Sequence, residues 1–442
     1  MPSPLLSPPG VTPAGATGAP LRVLMLAQFF RPIIGGEERA VEDLSGALAA
    51  RGHDIAVATL RIPGTEAREE RGGVRVHRLD GLVGRLDRFF AESDRRHLPP
   101  LPDPELLAGL RRVLLEERPD VVHAHNWIVH SYLPLARRGG APLVLSLHDY
   151  SLRCATKRLI RAGTVCEGPG AAKCLRCAAD LYGLAKGTFV TGALRASAPS
   201  LDRAVDMYLP VSDAVADRLE LRNRGLPFTV IPNLIPERQP ETAVSDPDQE
   251  RLLAALPEGD FLLFLGDATV DKGARVLLEA HALLDDPPPL VFIGRPIDID
   301  GAARDGRVVT LGPWPHAAAL QAVSRALLLV VPSIVPETFG IGALEAMSRG
   351  TPVVASRLGG LAELVVDGET GRTVAPGDPM VLAAAIRDLL ADRTALAVLG
   401  RAAKQHASMY SAARVAPRVE QVYGALLDTR ARREGRPRRG GD

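Results

Sequence analysis

ALLLVVPSIVPETFGIGALEAMSRGTPVVA, residues 326–355, sets two apolar runs on either side of one amphipathic stretch. Residues 326–331 and 353–355 have the unbroken apolar character of buried parallel strands, and 341–349 between them reads as a helix. Strand, helix and strand in succession make a crossover unit, the building block of an α/β fold. Glu337 falls in the loop before the helix and Glu345 inside it, eight positions later. That is a little over two helical turns, so the two acids are not neighbours on one helix face. Phe339, Gly340 and Ile341 stand where the helix begins, and free backbone N–H groups at a helix start attract anions. The stretch therefore predicts an anion cradle flanked by two carboxylates that can accept hydrogen bonds from hydroxyls. The plainer alternative is a helix with one acid favouring its dipole and a second acid in solvent.

The same alternation runs outward on both sides. Upstream, strands are expected at 22–27, 55–60, 121–124, 143–147, 208–211 and 229–231, with helices at 37–51, closed by Gly52, and at 213–224. Residues 236–257 turn polar, with Pro, Glu, Asp and Gln, and mark the expected domain boundary. A second series follows, with strands at 261–265, 290–293 and 308–311 and a helix at 272–284, before the quoted unit. Helices at 381–390 and 412–427 carry continuous apolar faces that need a surface to cover. The expected layout is a disordered tail (1–20), an α/β domain (21–236) with a cysteine-rich insertion at 150–180, and a second α/β domain (237–410). A helix (411–428) packing back toward the first domain and a basic tail (429–442) complete it. Two open sheets in tandem leave a cleft, and ligands of such sheets sit outside the carboxyl ends of the strands.

Composition narrows the function. The chain has 442 residues, 46% of them hydrophobic, which suffices for two buried cores. Lys and Arg number 53 against 52 Asp and Glu, so no global field recruits nucleic acid. Residues 1–20 lack the basic start and apolar segment of a signal peptide. No apolar run approaches the roughly 20 residues that span a bilayer, which points to a cytoplasmic protein. Arg430, Arg432, Arg433, Arg436, Arg438 and Arg439 make the end basic. A solvated tail is the plainer reading; the sharper one is a weak peripheral contact with the inner face of the membrane, each base near such a surface contributing about 1 kcal/mol.

Other residues are expected at the cleft. Lys272 and Gly273 close a loop at a helix start, where a lysine is a point charge for phosphate oxygens. Gly35 and Gly36 form a glycine loop after the first strand, although Gly-Gly alone also describes a simple turn. His148 ends the strand at 143–147, in a His-Asp-Tyr context. His125, Asn233 and Asp149 are weaker candidates. All four cysteines lie together at Cys154, Cys166, Cys174 and Cys177, and Cys174-Leu175-Arg176-Cys177 has the gap of a metal knuckle. In a cytosolic protein this favours a structural zinc over disulfides. An iron–sulfur cluster uses the same ligands, and four unlinked thiols remain the plain alternative.

The sequence resembles the retaining GT-B glycosyltransferases of glycosyltransferase family 4 over nearly the whole chain after Leu21. Glu337 and Glu345 match that family's Glu-x7-Glu motif in a Pro336-Glu337-x-Phe339-Gly340 context. The motif continues through Glu345-Ala346-Met347, Gly350 and Pro352-Val353-Val354, and Gly359, Gly360, Glu363, Asp367, Gly368, Thr370 and Gly371 match the segments beyond. The resemblance implies two Rossmann-like domains facing each other and transfer of a sugar from a nucleotide-diphosphate sugar to an acceptor hydroxyl. It further implies that no catalytic metal is needed, with the leaving phosphate itself accepting the acceptor's proton. In it Glu337 contacts donor-sugar hydroxyls, Glu345 the ribose, His148 the sugar or scissile region, and Gly35 and Gly36 the acceptor and donor phosphate. One departure stands out: after the glycine matching Gly266 the family usually has an arginine, and here Asp267 follows. Either Asp267 points away, or Arg295 or Lys272 carries more of the charge, or donor affinity is low. Asp267 also motivates a rival reading, a non-catalytic nucleotide-sugar-binding partner of another transferase. Sugar-nucleotide epimerisation is a remoter third. Donor sugar, base and acceptor identity are not legible.

Overall fold

A computed structural model describes residues 19–33, 35–85, 97–136, 140–161, 163–237, 247–299 and 306–433. The tail expected at 1–20 lies almost wholly outside the described residues, as do Arg436, Arg438 and Arg439.

Strands β1 (Arg22–Leu26), β2 (Asp54–Leu60), β3 (Arg68–Arg71), β4 (Val74–Leu79), β5 (Val121–His125) and β6 (Leu143–Leu147) come first. The small hairpin β7 (Ile160–Arg161) and β8 (Thr164–Val165) and then β9 (Met207–Pro210) follow. Seven of these form one sheet in the order β3-β4-β2-β1-β5-β6-β9, parallel except for the edge strand β3. A second, wholly parallel sheet has the order β12-β11-β10-β13-β14-β15. Its strands are β10 (Leu262–Leu265), β11 (Leu290–Ile293), β12 (Val308–Thr310), β13 (Leu328–Val331), β14 (Val353–Ser356) and β15 (Arg372–Val374). Parallel strands are covered by helices on both faces, which is why Val121–His125 and Leu143–Leu147 are buried throughout. This is the two-domain α/β architecture that the alternating pattern predicts.

The strand orders fix where ligands can go. Strand order reverses between β1 and β5 in the first sheet and between β10 and β13 in the second, and such switch points open a crevice at the strands' carboxyl ends. Residues 27–33, 35–37 and 126 leave the first switch point; residues 266–273 and 332–340 leave the second. Of the expected cleft residues, Gly35, Gly36, Gly266, Lys272, Glu337, Phe339 and Gly340 come from these segments, whereas His125, His148, Asp149, Asn233, Ile341 and Glu345 do not.

The chain returns to its start. The helix Ala412–Arg433 lays Val415, Val419 and the fully buried Tyr423 on Val23, Met25 and Val121 of the first sheet. It runs past residue 428, so Arg430, Arg432 and Arg433 belong to a helix rather than to a loose tail. The domains are also pinned directly. The Glu363 carboxylate accepts from the backbone N–H groups of Asp213 (3.0 Å) and Ala214 (2.6 Å), and Ser212 Oγ donates to Thr338 O at 2.6 Å. A glutamate of the second domain thereby satisfies the open first turn of the helix Asp213–Arg218 in the first.

Two local expectations are corrected. That helix ends at Arg218 rather than 224, because Glu220 adopts a left-handed φ of 54° that no helix continues through. Residues 229–231 are not a strand. Thr229 and Ile231 do donate to Tyr208 and Pro210 along the edge of β9, but Pro227 and Pro232 supply no N–H, and pairing is reduced to a single bridge at Phe228. No helix among the described residues is long and apolar enough to cross a membrane.

Candidate active site

The second-domain wall of the cleft is built around Gly340. Its φ of 99° turns the chain from the loop into the helix Ile341–Arg349, and a Cβ there would lie 2.5 Å from Leu361 Cδ2. Glycine lets the turn close. No side chain caps this helix start, so its N–H groups face the cleft, which is lined by Thr338, Phe339, Gly340 and Ile341. The glycine pair downstream braces the same turn, Gly360 N–H donating to Glu337 O at 2.7 Å.

Glu337 and Lys272 meet in this wall. Lys272 Nζ lies 2.5 Å from Glu337 Oε1, and Ser333 Oγ donates to the same oxygen at 2.7 Å. Burial opposes ionisation of Glu337, but the Lys272 charge and these two hydrogen bonds outweigh it and hold the carboxyl below its usual range. Lys272, whose side chain is 46% exposed, is correspondingly held above its usual range, its partial desolvation being outweighed by the Glu337 carboxylate. The site thus offers a fixed carboxylate beside a fixed cation. Gly273 sets the lysine's position: at φ 74° it packs against Pro332, where a Cβ would come within 1.9 Å of the carbonyl oxygen.

The first domain supplies the opposite wall. Gly36, Glu37, His148 and Asn233 line the same cleft of about 270 Å³. Contact across it is direct, since a Cβ on Gly36 would touch Ile341 Cδ1 at 3.5 Å. His148 is half-buried; burial depresses its pKa to about 4 against the opposing influence of Asp149 and Asn233, which leaves the imidazole neutral at neutral pH. Behind it lies a column of buried side chains. His148 Nε2 meets His125 Nδ1 at 2.9 Å, His125 stacks on His123 with ring centroids 4.4 Å apart, and His123 Nδ1 meets the Tyr423 hydroxyl at 2.7 Å. His125, a weaker candidate in the sequence, is thus a prop for His148 and does not line the cleft.

Sequence reasoning missed Glu37. It follows Gly36 directly, hydrogen-bonds Asn126 at the switch point, and lines both the cleft and a smaller recess shared with His148 and Asp149. Burial, reinforced by Asp149, raises its pKa to about 8. Its signal was present, an acid directly after a glycine loop expected to face phosphate, but an acid in a first helical turn reads as a dipole partner.

Not every expected residue lines the cleft. Glu345 sits beneath it, its Oε1 accepting from Arg39 Nη1 at 3.1 Å and meeting His316 Nε2 at 2.7 Å. Gly35 and Gly266 are not among the lining residues, although their chain neighbours Gly36 and Leu265 are. Asp267 is clamped by Arg295, whose guanidinium reaches Oδ2 at 2.6 Å, so its charge is neutralised locally. The four cysteines gather in a separate cavity.

Comparison with known proteins shows the family and the fold. A family model described as "Glycosyl transferases group 1" matches residues 259–392, and one described as "Glycosyl transferase 4-like domain" matches residues 35–234. A glycogen synthase of Mycobacterium tuberculosis is 31% identical, covering 95% of this chain and 97% of its own. The chain belongs to the group 1 glycosyl transferases, glycosyltransferase family 4. Among solved structures, a sucrose-phosphate synthase from Thermosynechococcus elongatus aligns at a TM-score of 0.69 and 20% identity over 92% of this transferase and 99% of that chain. Anabaena HepE, in complex with UDP-glucose, aligns at 0.64 and 19% over 92% and 100%. The fold of this glycosyltransferase is GT-B.

Proposed function

We propose that this glycosyltransferase moves a sugar from a nucleotide-diphosphate sugar to an acceptor hydroxyl with retention of anomeric configuration and without a catalytic metal. The observation that carries the reading is the convergence, in one cleft, of Lys272, Glu337, the open helix start at Phe339–Ile341 and His148. HepE's complex with UDP-glucose supports a nucleoside diphosphate sugar as donor.

Each residue has a task in this reading. Lys272 and the N–H groups of Phe339, Gly340 and Ile341 stabilise the departing diphosphate while the anomeric carbon becomes cation-like. These fixed charges do what a divalent ion does elsewhere. Glu337, ionised and oriented by Ser333, accepts hydrogen bonds from the donor sugar. Glu345, beneath the cleft with its Oε1 held by Arg39 and His316, turns its other carboxylate oxygen to the ribose when the nucleotide binds. Neutral His148 stays a hydrogen-bonding partner for the sugar near the scissile bond. The acceptor hydroxyl attacks from the face the diphosphate leaves, and the leaving phosphate takes its proton, so no protein base is assigned. Glu37, protonated at neutral pH, puts a hydrogen-bond donor and no negative charge beside the Gly35–Gly36 loop, which spares the diphosphate a repulsion. The basic helix end at Arg430, Arg432 and Arg433 fits a cytoplasmic enzyme with weak peripheral contact to the inner membrane face.

The test is acceptor-dependent release of nucleoside diphosphate across a panel of donors and acceptors, with and without EDTA. Release that needs an acceptor and ignores EDTA supports the proposal. Tight donor binding with no release across the panel would instead favour a non-catalytic binding partner, and EDTA-sensitive release would refute metal independence.

A further inference from the structure

Cys154, Cys166, Cys174 and Cys177 are the chain's only cysteines, and all four line one cavity of about 20 Å³ between the hairpin β7–β8 and the helix Ala171–Tyr182. They reach it from three places. Cys154 comes from the turn after Tyr150, Cys166 from the strand end after β8, and Cys174 and Cys177 from the first turns of the helix. All four are half-buried free thiols. We propose that this cavity is a structural zinc site with the four cysteines as its ligands, fastening the excursion between β6 and β9 against the cleft.

The surroundings match a tetrathiolate zinc, which carries a net charge of −2. Arg153, Arg161 and Lys173 line the cavity and no carboxylate does, although Arg153 also pairs with Glu220. Gly170 N–H already donates to Cys174 Sγ at 3.3 Å, the kind of backbone contact that stabilises a thiolate. The remaining sulfurs face Thr156 Oγ1 (3.2 Å), Gly168 O (3.3 Å) and Ile160 O (3.6 Å). Among the described residues no three of the four sulfurs lie within 4.8 Å of one another. Binding therefore turns the thiols inward from these partners, with loss of their protons, until each reaches a Zn–S distance of about 2.3 Å. His77, Glu116 and Glu117 do bring ligand atoms within 4.8 Å, but Arg68 and Arg75 already neutralise those acids, and that cluster is an ion-pair network.

The loop closed by the cysteines reaches the reaction cleft. Lys157 lies over the Trp127 ring at 4.4 Å, Arg158 pairs with Asp271 beside Lys272, and Tyr150 donates to Pro336 O at 3.3 Å. Lys157 and Leu159 are held at φ values of 64° and 49°, conformations that need outside support. A metal at the base of the loop supplies that support.

The experiment is elemental analysis of the full-length protein purified without added metal, followed by mercurial titration of its thiols with a chromogenic zinc indicator present. The expected result is one zinc per colourless chain, released in step with modification of the four thiols. The Cys174→Ser, Cys177→Ser double variant should lose the bound zinc; since it can also fail to fold, the titration of the unaltered chain is the deciding measurement. Freely titrating thiols without zinc, a coloured iron-containing protein, or a disulfide between any two of the cysteines would overturn the proposal.

Discussion

At the scale of single residues, three glutamates in one fold have three different fates. Glu337 is kept ionised by Lys272, Glu345 is shared between Arg39 and His316, and Glu37 is kept protonated by burial beside Asp149. Spacing and motif made Glu337, Lys272 and the glycine turn legible in the sequence. The acid beside the glycine loop did not by itself set Glu37 apart from a dipole partner, because its environment is assembled from Asn126 and Asp149, far along the chain. Its pKa of about 8 predicts a signature. Above pH 8 its carboxylate repels the diphosphate, so wild-type activity should fall on the alkaline side, and Glu37→Gln should remove that limb while keeping activity at pH 7 within several-fold. Stability carries the same sign. The unfolded chain loses this proton near its ordinary pKa of 4.5 and the folded chain only near 8, so the group's contribution weakens as pH rises through that window. The melting temperature of Glu37→Gln relative to wild type should therefore rise between pH 5 and 8; a pH-independent difference would place Glu37 in solvent. Removing Glu337 as Glu337→Ala should lower kcat by about 10²–10³-fold, the cost of losing one preorganised polar partner at a reacting centre, with an unchanged circular dichroism spectrum. Near-wild-type turnover in that variant would refute the assignment.

At the scale of elements, strands whose run of apolar residues is unbroken were readable, and Leu143–Leu147, Leu290–Ile293 and the helix Ile341–Arg349 fall where periodicity puts them. What periodicity did not show were elements with charged surfaces. The edge strand Arg68–Arg71 is largely exposed, whereas the helix Pro104–Glu117, absent from the expected elements, does bury Leu106, Leu110 and Val113 at helical spacing behind its Asp103 cap. The turn at Gly273 gives an element-scale prediction. Gly273→Ala forces a Cβ against the Pro332 carbonyl at a left-handed φ, so destabilisation should exceed the ~1 kcal/mol expected of the backbone conformation alone. Chemical denaturation measures it, and KM for the donor should rise with it because Lys272 moves. A neutral substitution would mean that the loop relaxes freely.

At the scale of the whole molecule, the cleft depends on contacts that no local reading reveals. Sequence alternation gave two sheets and a cleft, but not the column from Tyr423 through His123 and His125 to His148, which joins the last helix to the cleft. Tyr423→Phe removes the hydroxyl that meets His123 while keeping the ring, and should lower kcat modestly with little change in donor KM; an equal loss in a His148→Ala background would show that the column does not act through His148. The Glu363 clamp on the helix Asp213–Arg218 is equally non-local, since it joins residues from opposite domains. The central claim is that these two domains together perform a retaining transfer. It is tested most directly by proton NMR of the product formed from an α-linked nucleotide sugar in the presence of EDTA. The expected product is an α-glycoside, identified for a gluco- or galacto-configured sugar by the small coupling of its anomeric proton; a β-glycoside, or no product until a divalent metal is added, would refute metal-independent retention.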